Sequence, residues 1–98
     1  MPDPKSLAVG DRIRILRVPD SDLQQRASEM AAGEEMPGLT ADSIERIIAQ
    51  TPVVFISRVD GDGCVWYETT VIGAAGNEEY HTLIVYDDDS WEKVGGAG

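Results

Sequence analysis

The chain has 98 residues and a mass of 10.6 kDa, enough for one small domain whose core leaves little stability margin. Its 42% hydrophobic content argues against disorder, yet no run nears the roughly 18 apolar residues of a membrane span. Eighteen acids against eight bases give a net charge of −10, which argues against non-specific association with nucleic acid or an anionic membrane.

In chain order, Met1 to Val9 is a short proline-containing lead-in without the basic-then-apolar layout of a signal peptide. Gly10-Asp11 is turn chemistry. Arg12 to Val18 then opens a strand, because Ile13 and Ile15 alternate with Arg12 and Arg14 at period two. Leu16 and Val18 fall on the opposite face, which implies a bulge or a late twist, and Pro19 ends the strand.

Ser21 reads as the cap of a first helix with Gln24 three residues on, and Leu23, Ala27 and Met30 form a narrow apolar stripe. Gly33 stops this helix. Thr40 caps a second one, with Asp42 in its first turn favouring the positive end of the helix dipole. Its apolar face is Ile44, Ile47 and Ile48, while Glu45, Arg46 and Gln50 face outward. Thr51-Pro52 terminates it, since a residue before proline is pushed out of helical geometry.

The remainder reads as β-structure: Val53 to Val59, a turn at Asp60-Gly61-Asp62-Gly63, Cys64 to Ile72, a Gly73–Asn77 connection, and Tyr80 to Tyr86. After the Asp87–Asp89 turn, Ser90 to Val94 forms a short closing strand, and Gly95-Gly96-Ala97-Gly98 is a flexible tail. The last connections are too short for parallel crossovers. The expectation is a single α+β domain, ordered over about 9–94: an antiparallel roll of about five strands with a helical insertion between strands one and two. Its core should hold Ile13, Ile15, Ile44, Ile48, Val54, Ile56, Val65, Tyr67, Leu83 and Val85, with Ile48 sealing helix against sheet.

These features resemble the small SH3-like barrels, in which a long first loop separates strand one from a meander. More narrowly, the chain resembles uncharacterised bacterial proteins carried on mobile integron gene cassettes. The resemblance spans residues 9–94. It rests on the Arg-Ile-Arg-Ile-Leu-Arg-Val-Pro-Asp stretch at 12–20, a polar helical insert, Val53-Val54 leading to Val59-Asp60, Gly63-Cys64-Val65-Trp66, and Glu79-Tyr80-His81. The chain departs from the pattern at Thr51-Pro52, where a tight glycine turn is typical. It implies an SH3-like β-barrel but no activity, because those relatives have none established, and no functional residue carries over.

Catalytic and metal signatures are thin. Asp60-Gly61-Asp62-Gly63 starts like a calcium loop, but the fifth, sixth and twelfth positions hold Cys64, Val65 and Val71 where such a loop needs Asp or Asn, Gly and Glu. Lone Cys64 excludes an internal disulfide and a thiolate metal cluster. Cys64 and His81 are the only thiol and imidazole available as nucleophile and base, with Glu78 or Glu79 to orient the ring, yet no nucleophile elbow accompanies them. No cofactor or metal is expected, and a non-enzymatic, soluble cytoplasmic protein is.

The charge is uneven. Residues 1–26 carry five bases and four acids, whereas residues 59–98 carry nine acids and only Lys93. That acidic half is either a solubilising surface or a docking face for a basic partner. The aromatics concentrate there too. They are either core, or, as in SH3-like grooves, exposed anchors for extended basic or proline-rich segments. The candidate surface is Trp66, Glu68, Asp87, Asp88, Asp89 and Trp91. Two functional classes follow: an acidic module binding a basic protein or peptide, and an immunity or antitoxin-like inhibitor of a basic toxin or enzyme. A Cys64–His81 enzyme is a distant third. Nucleic acid and membrane are not expected as partners, and nothing indicates a homo-oligomer.

Overall fold

In the computed structural model, residues 3–94 are described; the expected Gly95–Gly98 tail lies outside them. A 3-10 turn at Pro4–Ser6 precedes β1 (Arg12–Ile15), α1 (Asp20–Ala31), α2 (Leu39–Gln50), β2 (Val53–Val59), β3 (Val65–Ile72), β4 (Glu78–Ile84) and β5 (Trp91–Lys93). The strands form one antiparallel sheet in the order β4-β3-β2-β1-β5. The chain is thus α+β, with a five-stranded antiparallel open sheet and two helices.

One face of the sheet is dry. Ile13 and Ile15 of β1, Val54 and Ile56 of β2, Val65, Tyr67 and Val71 of β3, and Trp91 of β5 pack there against Ala41, Ile44 and Ile47 of α2. Leu7 and Val18 add to this core. Ile47 is fully buried, whereas Ile48 and Leu83 only pack against the cluster's margin. The seal between helix and sheet is therefore Ile47 together with the expected Ile44, one residue before the Ile48 expected. Arg46 is also not an outward residue. Its guanidinium folds inward to Glu79 of β4 at 3.0 Å.

Helix α1 buries only Asp22, and its expected stripe is exposed: Leu23 is 39% and Met30 63% accessible. Polar contacts hold it instead. Arg26 pairs with Asp42 at 2.9 Å and Glu45 at 2.7 Å on α2, and Glu29 accepts the Gly38 N–H at 2.9 Å. Those carboxylates, Glu45 foremost, hold the Arg26 guanidinium above its ordinary pKa. Gly38 precedes α2 at φ 70°, and any Cβ there would collide with the Arg26 side chain. Neither expected cap serves: Ser21 sits inside the first turn of α1 behind Pro19, and Thr40 inside that of α2 behind Gly38.

Strand limits differ in four strands, β3 by a single residue, since it starts at Val65 rather than Cys64. β1 stops at Ile15, three residues early: the Leu16 N–H still continues the β5 ladder to Ser90 O at 2.8 Å, but the Arg17 N–H doubles back on that same carbonyl at 3.3 Å. β4 begins at Glu78 and ends at Ile84, and β5 is shorter than expected. Thr51-Pro52 joins α2 to β2 without a glycine turn: the Thr51 N–H caps Ile47 O at 2.7 Å and Pro52 O accepts the Ile15 N–H at 2.7 Å.

Candidate interaction surface

The outward face of β2, β3 and β4 collects the exposed side chains. Cross-strand pairing sets Phe55 opposite Glu68 and Glu68 opposite Thr82, Trp66 opposite Ile84, and Thr70 opposite Tyr80. Alternation along β3 buries Val65, Tyr67 and Val71 and turns Trp66 and Glu68 the other way. Phe55 is 58% and Tyr80 64% accessible, so both rings stand in solvent on the face that half-buried Trp66 shares, Tyr80 four residues along the sheet from it. The Glu68 carboxylate next to Tyr80 pushes that phenol above its ordinary pKa.

A bulge aims one further residue at this face. Ile56 pairs with Tyr67, but the next pair is Arg58 with Trp66, leaving Ser57 without an opposite residue. A bulge of this kind re-aims the side chains that follow it. Arg58 consequently lands beside Trp66, its guanidinium carbon 4.7 Å from the ring centroid. The Trp66 face thus already binds a cation, one supplied by its own chain.

Asp60 fixes the other side of the ring. Its Oδ2 accepts the Trp66 indole N–H at 2.9 Å, and its Oδ1 accepts the N–H groups of Asp62 and Cys64 at 2.9 and 3.0 Å. The indole N–H, ahead of the two backbone donors and Arg58, holds the Asp60 carboxyl below its ordinary pKa. Asp60-Gly61-Asp62-Gly63 is therefore a hairpin turn with Gly63 at φ 82°, the left-handed conformation glycine favours. Among the described residues, no group of three or more His, Cys, Asp and Glu side chains is disposed to hold a metal ion.

The expected surface is not one surface. Trp66 and Glu68 share the outward face, but Trp91 is 2% accessible and its indole N–H donates to Tyr86 O at 2.7 Å. Pairing with Ile15 turns Trp91 to the dry face, so it is a core ring and no anchor for a partner. The acidic triplet is divided as well. Asp88 accepts the Ser90 N–H at 2.9 Å and its hydroxyl at 2.5 Å, which closes the turn. Asp89 pairs with Arg17, which also reaches Asp20 at 3.2 Å. Only Asp87 of the three is exposed with no side-chain bond in the described residues.

The thiol and imidazole do not meet. The β3–β4 register puts Cys64 level with Tyr86 and His81 level with Thr69. Five residues of strand, roughly 17 Å, separate them. His81 bonds instead to Glu79 at 3.3 Å, on the carboxylate oxygen that Arg46 reaches from α2. Sequence reasoning missed Phe55, Arg58 and Tyr80 as members of the surface. Period-two alternation across Val53–Val59 was the available signal for Phe55, and nothing in the sequence marks the bulge that adds Arg58. No described helix is long and apolar enough to cross a membrane. Compared with known proteins, the chain matches no family model, no curated sequence and no solved structure.

Proposed function

We propose that this chain is a non-enzymatic acidic interaction module, an SH3-like roll in architecture, that docks a basic protein or peptide segment on its outward β2–β3–β4 face. The meander β2-β3-β4 and the return of β5 to pair with β1 support the SH3-like reading. The observation that carries the functional reading is the Trp66 ring, held by Asp60 and covered by the Arg58 cation, on the same outward face as exposed Phe55, Glu68 and, farther along the sheet, Tyr80.

An aromatic face beside carboxylates suits Lys and Arg, through ring–cation attraction and charge-assisted hydrogen bonds. A single exposed ring–cation contact is worth only about 0.5–1 kcal/mol, so a partner must make several contacts and displace Arg58 from the ring. The net charge of −10 adds long-range steering of a basic partner.

The test is a titration of isotope-labelled protein with a blocked arginine-rich peptide and its glutamate counterpart, followed by magnetic resonance. The basic peptide should shift the Trp66 indole signal and the amides of Phe55 and Tyr80, bind more weakly as salt rises, and lose most of its affinity to Trp66→Ala. Silence at those three residues across a panel of basic peptides would overturn the reading.

A further inference from the structure

The outer edge of the sheet next to this face is unpaired in a regular way. β4 is an edge strand of seven residues, all in continuous register with β3, with no proline, glycine or bulge. The opposite edge, β5, has only three residues. At one end of the β3–β4 ladder the Val85 N–H donates to Val65 O at 2.8 Å, and at the other the Gly73 N–H donates to Asn77 O at 2.8 Å. Bonded pairs in an antiparallel ladder recur every second residue, so Glu79, His81 and Leu83 spend their main-chain groups on β3. Tyr80, Thr82 and Ile84 therefore aim N–H and C=O away from the sheet, and these groups have no main-chain partner among the described residues.

We propose that the free edge of β4 takes an extended basic peptide as a sixth, antiparallel strand, hydrogen-bonded to Tyr80, Thr82 and Ile84. This rests on the function proposed above and specifies how the partner is held. Natural edges are usually blunted by lysine, proline, a bulge or a cover, and β4 carries none of the first three. Main-chain bonds then supply affinity, and alternate side chains supply selectivity.

Charge decides between occupants. A second copy of this chain would bring two net charges of −10 together along the edge. A basic segment would instead meet exposed Glu78 at one end and Glu68 one strand in, on the same face as Tyr80 and Thr82. Beyond Ile84 the edge opens into a cleft of about 340 Å³ between Pro4, Lys5, Cys64, Ile84, Tyr86 and Asp87. Asp3, Asp62 and Asp87 outnumber Lys5 on its wall, so a basic side chain is tolerated at the cleft, while Pro4, Val65 and Ile84 suit an apolar one. The matching ligand alternates basic and apolar residues.

The probe is a blocked octapeptide of alternating Lys and Val, compared with its Glu-Val counterpart and with a version N-methylated at every second backbone nitrogen. Saturating Lys-Val peptide should slow amide exchange at Tyr80, Thr82 and Ile84 at least about tenfold, because a paired edge must open before it exchanges. N-methylation keeps the charge and removes the main-chain donors, and should weaken binding about tenfold or more. Thr82→Pro deletes an outward N–H without touching the β3 ladder and should do the same, with the β3 amides reporting that the sheet is intact. If the peptide shifts Trp66 and Phe55 but leaves edge exchange unchanged, and the N-methylated form binds equally, the edge inference fails while the face reading stands. If neither face nor edge responds, both fail. Protection of the same three amides by self-association without peptide would make the occupant a second copy and overturn the proposal.

Discussion

The indole N–H of Trp66 donates to Asp60 Oδ2 over 2.9 Å, which ties the ring of an exposed face to the turn that starts its own strand. The bond favours the carboxylate, so Asp60 ionises below its ordinary value of 3.8. A depressed carboxyl pKa gives stability that is present above the unfolded value and lost as pH falls through the folded one. Wild-type protein should thus lose part of its stability, and its Trp66 indole shift, below pH 3.8. Asp60→Asn should lack that part of the acid dependence, as read from the difference between the two stability–pH curves.

The two tryptophans should separate cleanly. Trp91 is 2% accessible on the dry face, so Trp91→Ala should cost about 3–5 kcal/mol in denaturant unfolding. Trp66→Ala should cost clearly less, since its ring is only partly buried and only Arg58 and Asp60 lose a partner. Equal costs would mean that Trp66 is core and the outward face has no anchor.

Within α2, adjacent isoleucines differ in kind. Ile47 is fully buried, and Ile47→Ala should cost about 2–5 kcal/mol. Ile48 sits at the margin of the cluster, and Ile48→Ala should fall below about 2 kcal/mol, because neighbours and water can fill the space. Chemical denaturation of both variants checks the order.

Tyr86 reaches from the end of the sheet to α1, where its hydroxyl donates to Asp22 Oδ1 at 3.3 Å. Burial, with that bond second, pushes the phenol from 10.0 up to about 12. A raised phenol pKa gives stability that is complete below pH 10.0 and lost as pH rises toward about 12. Phenolate absorbance gained in that window should be smaller by one tyrosine in Tyr86→Phe, the Tyr80 phenol being raised as well. Buried Asp22 would then lose its one side-chain donor, its Oδ2 being unpartnered already. Leaving such a group unsatisfied should cost about 1–3 kcal/mol, and Asp22→Asn in the same background should recover part of it.

What was legible followed local rules. β2 ran from Val53 to Val59 as expected, because branched residues there are bounded by Thr51-Pro52 and the Asp60-Gly61 turn. The buried face of β3 followed from alternation alone. What failed depended on partners distant in sequence. The Leu23, Ala27, Met30 stripe looked like a packing face, but α1 is attached through Arg26, Glu29 and Asp22 to residues it meets only in the fold. Trp91 sits among acids in sequence, yet pairing with Ile15, far away in the chain, turned it inward. The cation on Trp66 depends on a bulge at Ser57, where no glycine or proline marks the irregularity.

The acidic triplet should behave as three different residues. Asp88 serves the turn, and Asp88→Ala should destabilise by about 1–3 kcal/mol because buried Ser90 loses its acceptor. Asp89→Asn removes a solvent-exposed pair with Arg17 and should change stability little. Asp87 is exposed beside the cleft at the end of β4 and carries no structural bond in the described residues, so Asp87→Asn should leave unfolding unchanged. Its effect should fall on encounter: slower association with the Lys-Val peptide and a flatter dependence on salt, with dissociation hardly altered, as for a charge at the rim of an interface. Stopped-flow mixing over a range of ionic strength separates the two rates. If Asp87→Asn left association and its salt dependence untouched while Asp88→Ala changed stability, the triplet would be a turn and nothing more. The steering of a basic partner would then have to come from Glu68, Glu78 and the acids of the β2–β3 turn.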